Sequence, residues 1–236
     1  SIDLSYGKAY ADNSIAFKAD QNANLSNSEV SANQIDGLAS SIDNTQGSLY
    51  ANSTITLKQA NPNGALTNNS GTIRSKGLLD IGFDTIDNVG KDSLLLSDKA
   101  INIAAQQVSN SDQLEGKNFT GGIQAPNITI NAKTLNNNQG YISGTANNLS
   151  LSQDLQNTQG YIYGKDDLTI GTGAQNLTLS NAEGELKSDK NITLIADKFS
   201  NAQGSVISQG DASIILKQDY THQAGDTLQV NNQLSI

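Results

Sequence analysis

The chain has 236 residues, 14 of them basic and 23 acidic, which gives a formal net charge of −9. A nucleic-acid-binding function is excluded because no basic stripe is available to displace counterions from a phosphate backbone. The absence of cysteine excludes disulfides, zinc–thiolate sites and thiol catalysis, and no apolar run approaches the length of about 18 residues that a membrane-spanning helix needs.

Short strands are the elements that the remaining composition favours. Hydrophobic residues make up only 36% of the chain, and 21 glycines accompany a surplus of Asn, Ser and Thr. Asn and Ser compete with the helix for backbone hydrogen bonds, so long helices are disfavoured. Val, Ile and Leu occur in short alternating bursts between these polar residues, which predicts an all-β protein.

The first elements along the chain, in residues 1–41, are predicted to be irregular members of the same class. Their sequence matches the later repeat poorly, and "LSNSEV" from Leu25 is a short, doubtful copy of it. The copy is too short to set a strand register for these residues.

One pattern recurs from Ile42 onwards: an apolar residue, Asn two positions later, Gly three positions after the Asn, and a second apolar residue two positions further on. The strong copies are "IDNTQGSL", "LTNNSGTI", "LNNNQGYI", "LQNTQGYI", "LSNAEGEL" and "FSNAQGSV". Two weaker copies, "IDNVGKDSL" from Ile86 and "VSNSDQL" from Val108, lack Gly at its position. The motif asparagines are Asn44, Asn68, Asn88, Asn110, Asn137, Asn157, Asn181 and Asn201.

The spacing of these asparagines, about 22 residues on average, is typical of a solenoid. A leucine-rich repeat has this length, but Gly and a second strand-like alternation follow the Asn here, and no helical stretch intervenes. A propeller blade would need about twice the length. The pattern therefore predicts a parallel β-helix of about ten or eleven turns of roughly 20–24 residues, each called a coil below. Its length at the usual strand spacing is on the order of 50 Å.

The repeat also predicts which side chains point inward. The inward set is Leu155, Ile162, Leu168 and Ile170, expected to stack on Leu135, Ile142, Leu149 and Leu151, with Gln156, Tyr161, Tyr163 and Thr169 pointing outward. We expect Asn157 at a corner, bonding the turn backbone and the equivalent Asn of the neighbouring coils in a ladder. Gly160 is expected to adopt a turn conformation that side chains disfavour.

Residues 1–236 are interpreted as one β-helical section of a longer filament. The long interval after Asn110 contains "LEGKNFTGG" and predicts a loop extruded near residues 113–126. The chain opens at Ser1 without an initiator methionine, and both ends break in mid-pattern. A complete solenoid would have polar capping repeats there.

The repeat units resemble the haemagglutinin repeats of the filamentous haemagglutinin family, over about residues 42–236. The residues that carry the resemblance are Asn-x-x-Gly-x-[Ile/Leu/Val] followed by Leu-x-Ile. The family includes exoproteins of two-partner secretion and contact-dependent growth-inhibition proteins. The resemblance implies a right-handed β-helical filament at a Gram-negative cell surface, exported through a dedicated outer-membrane transporter. The family's Asn-Pro-Asn-Gly secretion motif also occurs at Asn61–Gly64, where an ordinary turn is the favoured interpretation.

Three outward tyrosines form the candidate ligand-binding surface. Tyr141 and Tyr161 lie one repeat apart and are expected to stack, with Tyr163 beside them. Such a surface could bind a glycan or a cell-surface protein. Cross-strand packing that shields the sheet is the favoured interpretation.

The remaining candidate sites have simpler interpretations. His222, the only histidine, aligns with the Asn position and is expected to replace one rung of the ladder. Asp166, Asp167, Asp189 and Asp211 recur at one coil position, where calcium binding or acid/base catalysis is weighed against solvated turns with interleaved lysines, and the turns are favoured. "GTGAQN" from Gly171 lacks the following helix that a phosphate-binding loop needs.

Eight Asn-x-Ser/Thr triplets are possible glycosylation acceptors, but in a bacterial protein we expect most to be unmodified. They begin at Asn24, Asn52, Asn68, Asn118, Asn127, Asn148, Asn176 and Asn191.

Three functions stay open at this point. The leading hypothesis is a structural shaft segment of a secreted surface filament, without enzymatic activity, cofactor or metal. The second is an adhesin module that binds a host or target-cell receptor or glycan itself. A polysaccharide-active β-helix enzyme is the third and least favoured hypothesis.

Overall fold

The computed structural model describes residues 1–116, 118–173 and 176–236, and within these ranges the chain is all-β with no helix. The strands of the N-terminal half are β1 Ile2–Asp3, β2 Lys8–Tyr10, β3 Ser14–Asn24, β4 Glu29–Asp43, β5 Ser48–Gln59, β6 Ala65–Thr67, β7 Thr72–Ser75, β8 Leu78–Gly82, β9 Thr85–Asp87, β10 Leu94–Ser97, β11 Ala100–Ala104, β12 Gln107–Ser109, β13 Leu114–Glu115 and β14 Asn118–Phe119. Those of the C-terminal half are β15 Gly122–Gln124, β16 Asn127–Asn136, β17 Tyr141–Gln156, β18 Tyr161–Ile170, β19 Thr178–Ser180, β20 Glu185–Ser188, β21 Asn191–Ala196, β22 Lys198–Ser200, β23 Ser205–Ser208, β24 Ala212–Leu216, β25 Thr227–Val230 and β26 Leu234–Ser235.

All strands except β13 and β14 belong to one parallel system of 24 strands that winds as a β-solenoid. Most strands pair with a counterpart one coil earlier and another one coil later, as β17 does with β16 and β18. About eleven turns result, which confirms the predicted all-β parallel β-helix class. Its right-handed sense stays a prediction.

Residues 1–41 pair in the same parallel manner as the later coils. β1 pairs with β3, and β3 pairs with β4 from Ser14↔Gln34 to Asn24↔Asp43, with a register shift between Ala19 and Asn22. A four-residue turn in each of these coils begins at Leu4 or Leu25, where the corresponding turns of the later coils begin at Asn. This replacement explains why the sequence pattern is weak here.

The core is a set of apolar columns along the solenoid axis, built from alternate residues of each strand. The predicted stacks of Leu155 on Leu135 and Ile162 on Ile142 are present. Two predicted partners are wrong: Leu168 pairs with Asn147, and Ile170 pairs with Leu149. The offset between paired residues rises from 20 to 21 between Gly144 and Ala146 because the later strand contains one more residue, whereas the predicted pairs have an offset of 19.

The interval after Asn110 contains a short antiparallel hairpin. β13 and β14 pair through Leu114↔Phe119 and Glu115↔Asn118, outside the parallel system. The parallel pairing resumes at β15, whose Gly122 lies opposite Leu94. The hairpin thus adds residues to this coil without breaking the stack.

No helix in the described ranges is long and apolar enough to cross a membrane.

Candidate functional site

The corner of each coil is a four-residue turn whose first residue is here called the corner position. In the regular coils the N–H of the fourth residue donates to the carbonyl of the first, as from Gly47 to Asn44 at 2.9 Å and from Gly160 to Asn157 at 3.2 Å. The third residue has a positive φ, for example 53° at Gln159. The expectation that Gly160 itself has this conformation is therefore wrong.

Gly160 is required by a close approach rather than by its φ angle. A Cβ on Gly160 would lie 2.1 Å from the carbonyl oxygen of Asn137 and 2.4 Å from Asn157 Oδ1. The backbone of the preceding coil and the corner amide occupy the space that any side chain would need. The Gly of the repeat is therefore a consequence of the packing of one coil on the next.

The eight motif asparagines occupy consecutive corner positions and form one hydrogen-bonded column, here called the Asn ladder. In the seven bonds from Asn44 to Asn201, the Nδ2 of one Asn donates to the Oδ1 of the Asn in the next coil at 2.7–2.8 Å. All eight side chains are buried. Most also donate to a turn carbonyl, as Asn157 does to Gly160 at 3.2 Å, so these buried amides gain partners in two directions.

The Asn ladder begins where an apolar residue occupies the preceding corner. Leu25 lies at that corner, and Asn44 Oδ1, though buried, has no hydrogen-bond partner among the described residues. At the other end the corner position after Asn201 is held by Gln223, because the register runs from Ser205 to Thr227 and the Asp226 N–H donates to the Gln223 carbonyl.

His222 does not replace a rung of the Asn ladder, contrary to the sequence alignment. It lies one residue before the corner position and is exposed. Its ring contacts the edge of Tyr220, with centroids 6.3 Å apart. Tyr220 itself stacks on Phe199, with ring centroids 5.3 Å apart. The turn of this coil therefore begins one residue later than the sequence alignment predicts, next to this aromatic packing.

Gln113 is a structural residue that sequence reasoning missed. It lies at the Gly position of a weak copy, and its buried side-chain amide bridges the coil from which the hairpin leaves. Nε2 donates to Asn88 O at 2.8 Å and to Asn110 Oδ1 at 3.0 Å, and Oε1 accepts from the Tyr141 N–H at 3.1 Å. The signal available in the sequence was the missing Gly directly before the extra residues.

The three predicted tyrosines lie together on the outer surface, and the hairpin supplies a fourth ring. Tyr141 stacks on Tyr161 with centroids 5.7 Å apart, and Tyr163 lies 6.2 Å from Tyr161. Phe119, which was not among the predicted site residues, stacks on Tyr141 at 5.1 Å. These four residues are called the aromatic cluster below.

A groove of about 510 Å³ runs between the hairpin and the following coils beside the aromatic cluster. It is lined by Leu114, Phe119, Gln159, Tyr161, Glu183 and Glu185, with two glycines. Burial, with the negative charge of Glu185 as the next cause, raises the pKa of Tyr161 to about 12. The groove therefore combines aromatic faces with two carboxylates, and this region is the strongest candidate for ligand contact.

Tyr163 is held by a charged partner outside this groove. Its hydroxyl donates to Asp189 Oδ2 at 2.5 Å, and this bond is the main cause that raises its pKa to about 12.

The recurring aspartates are engaged in ion pairs and turn hydrogen bonds. Asp166 pairs with Lys190 at 2.9 Å, Asp167 accepts from Asn191 at 3.1 Å, and Asp211 accepts from the Gln233 N–H at 3.1 Å. In the described part of the chain there is no group of three or more His, Cys, Asp or Glu side chains arranged to hold a metal ion.

The other sequence motifs are placed as follows. Asn68 is a ladder residue and fully buried, so it is not accessible to a glycosyltransferase. The other triplets begin at exposed asparagines, except the half-buried Asn24. Asn61 bonds Ser40 Oγ at 2.7 Å within a turn region, and Ala174 and Gln175 of "GTGAQN" lie outside the described residues.

Comparison with known proteins identifies no relative of this chain. No family model, no curated protein and no solved structure matches it. Its function is therefore inferred from the geometry of the coils and their surfaces.

Proposed function

We propose that this chain is a structural shaft segment of a secreted bacterial surface filament, which presents an adhesive or toxin-bearing region to other cells. The single observation that carries the proposal is the Asn ladder, which runs through eight consecutive coils without a break. A column of buried, hydrogen-bonded amides joins each coil to the next in a single register. A chain built this way gains length in fixed steps with each added coil.

The apolar core supports the same proposal. Inward Leu and Ile residues recur in every coil, for example Leu49, Ile73 and Leu95 in one column, and all three are fully buried. Each coil gains its burial from its neighbours, as in other solenoids. Stability is thus distributed along the axis rather than concentrated at one site.

We base the proposed cell-surface location and export route of the protein on the resemblance of its repeats to haemagglutinin repeats. In this account the protein containing the chain leaves a Gram-negative cell through an outer-membrane two-partner-secretion transporter and folds outside. A chain without cysteine cannot form disulfides that would hinder threading.

Surface labelling tests the shaft proposal. Antibodies raised against the purified chain should label intact cells of the source organism, and the fluorescent chain alone should show no saturable binding to epithelial or bacterial cells. Labelling that requires permeabilised cells would contradict the surface location. Saturable binding of the isolated chain would contradict a purely structural role.

A receptor-binding module is the second candidate, and the aromatic cluster favours it. Four rings from two coils and the hairpin form one continuous patch, and aromatic surfaces of this kind recur in sugar and protein recognition. If Tyr141→Ala combined with Tyr161→Ala abolished cell binding while circular dichroism stayed unchanged, this second function would replace the first.

A further inference from the structure

The groove beside the aromatic cluster carries two carboxylates that no basic side chain of the described residues neutralises. Glu183 accepts a hydrogen bond from Gln159 at 2.9 Å. Glu185 is half-buried, and no ion pair to either carboxylate occurs among the described residues. Two carboxylates beside the ring of Tyr161 make a site that attracts a cation.

A second tyrosine on the same face of the solenoid provides an internal comparison. The ring of Tyr50 has the Arg74 guanidinium at 6.0 Å and the Lys76 ammonium at 5.9 Å. Arg74 comes from the next coil, opposite Tyr50 in the register. Tyr50 lies in the outward column of Tyr163, which also has a basic residue, Lys187, opposite it in the next coil. Tyr161, two residues earlier on the same strand as Tyr163, instead has Glu185 opposite it.

The positions around Tyr161 further define the groove. Phe119 of the hairpin lies 6.1 Å from the Tyr161 ring, at a tilt of 41°, so the two rings diverge. Lys187, the nearest basic residue in the register, lies opposite Tyr163, one outward position beyond Glu185. The space of about 510 Å³ is large enough for a long side chain and part of its backbone.

From this geometry we propose that the groove binds an arginine or lysine side chain of an extended basic segment in a partner protein. The cationic head group lies over the faces of Tyr161 and Phe119 and bonds Glu183 and Glu185. The alkyl stem packs against Leu114. The proposal goes beyond the shaft function and does not depend on it, because a shaft needs no charged groove.

A labelled basic peptide tests the proposal directly. We expect fluorescein-labelled tetra-arginine to bind the full chain in anisotropy titrations, with an affinity that falls at least about tenfold between about 50 and 500 mM NaCl, since exposed charge pairs are screened on this scale. A Gly-Ser peptide of the same length is the neutral control. Failure of tetra-arginine to bind more tightly than this control would overturn the proposal.

Two Glu→Gln variants distinguish binding of the peptide in the groove from its non-specific attraction to an acidic protein. Glu185→Gln should weaken tetra-arginine binding about fivefold or more. Glu29→Gln removes the same charge at the equivalent position of an early coil, where Glu29 pairs with Lys8, and should change binding less than about twofold. Equal weakening by both variants would mean that only the net charge matters, and the groove would not be a site.

A neutral glycan tests the competing ligand class. Cellohexaose should neither bind nor displace tetra-arginine, and Tyr161→Leu should weaken peptide binding by a factor similar to Glu185→Gln. If cellohexaose bound and the Glu185→Gln variant bound it equally well, the groove would be a glycan platform. Circular dichroism of each variant checks folding, and Glu185→Gln alone decides the outcome if Tyr161→Leu unfolds.

Discussion

At the residue scale, the side-chain amide at the corner of each regular coil is a main contributor to the stability of the fold. Asn157 accepts from Asn137 and donates to Asn181, so its removal leaves buried groups without partners on both sides. Asn44 differs because the preceding corner is Leu25 and its Oδ1 has no partner among the described residues. The same substitution should therefore have different costs at the two positions.

Replacing Asn157 by Leu should destabilise the protein by about 3 kcal/mol, because a buried unpaired polar group costs about 1–3 kcal/mol. Asn44→Leu should cost about 1 kcal/mol or less, since it removes one bond of the Asn ladder instead of two. It also adds a third Leu to the corner positions that Leu4 and Leu25 occupy. Urea unfolding of both variants measures the difference. Equal costs at the two positions would mean that the ladder bonds do not carry the effect.

The close approach of the preceding coil to the Gly of the turn leads to a second prediction at the residue scale. Gly160→Ala should destabilise by about 3 kcal/mol or more, because the added Cβ overlaps the backbone of the coil before it. Gly116 in the hairpin has a positive φ of 64°, but no atom of the described chain lies within 4 Å of the position that a Cβ would occupy, so Gly116→Ala should cost only about 1 kcal/mol. Thermal melts of the two variants test this order.

Ionisation of three half-buried tyrosines should weaken the fold at high pH. The pKa values of Tyr161, Tyr163 and Tyr220 are raised to about 12 in the folded chain, against 10.0 for an unperturbed tyrosine. A raised folded pKa contributes stability that is complete below about pH 10 and is lost between about pH 10 and 12. Melting temperatures should fall across that window, and Tyr163→Phe should reduce the slope. A melting temperature that stays constant from about pH 9 to 12 would contradict these environments.

At the element scale, the side chain of Gln113 bridges the coils at the point where the hairpin leaves the solenoid. Gln113→Ala should remove about 2 kcal/mol of stability, because the Asn88 carbonyl and the Tyr141 N–H lose their partner. Gln139→Ala is the matched control, since its amide bonds Gln159 at an exposed corner, and it should cost less than about 0.5 kcal/mol. Similar losses in both variants would show that Gln113 does not bridge the coil.

The coil periodicity and the eight ladder positions could be predicted from the sequence because they depend on a repeated local pattern. Side-chain alternation and the Asn spacing are visible without knowledge of distant contacts. The partner of Leu168 could not be predicted, because one extra residue in β18 is absorbed by a register shift that places Asn147 in the core. The repeat could not be recognised in the N-terminal coils, because Leu4 and Leu25 occupy the corner positions where the motif requires Asn.

The role of Phe119 in the candidate site also lay beyond the sequence pattern. The tyrosines of the cluster are related by the repeat, so their stacking follows from the period. Phe119 belongs to the inserted hairpin, which has no counterpart in the other described coils, and its contact with Tyr141 exists only in three dimensions. Insertions in solenoids are common places for binding surfaces for this reason.

On the scale of the whole molecule, a shaft requires that distance along the axis is set by the number of coils. Ser48 and Ser205 lie in one outward column, seven strand spacings apart. At the usual spacing of about 4.7–4.9 Å they should be about 34 Å apart. Removing residues 181–200 joins Ser180 to Asn201, deletes one coil, and brings Asn157 and Asn201 into adjacent corners.

The most direct test of this account is a pulsed electron–electron resonance measurement between spin labels on Ser48→Cys and Ser205→Cys, which are the only thiols in a chain without native cysteine. We predict one narrow distance distribution near about 34 Å, which shortens by about 5 Å when residues 181–200 are deleted. A broad distribution, or a distance that does not change with the loss of the coil, would contradict a rigid shaft built from stacked coils.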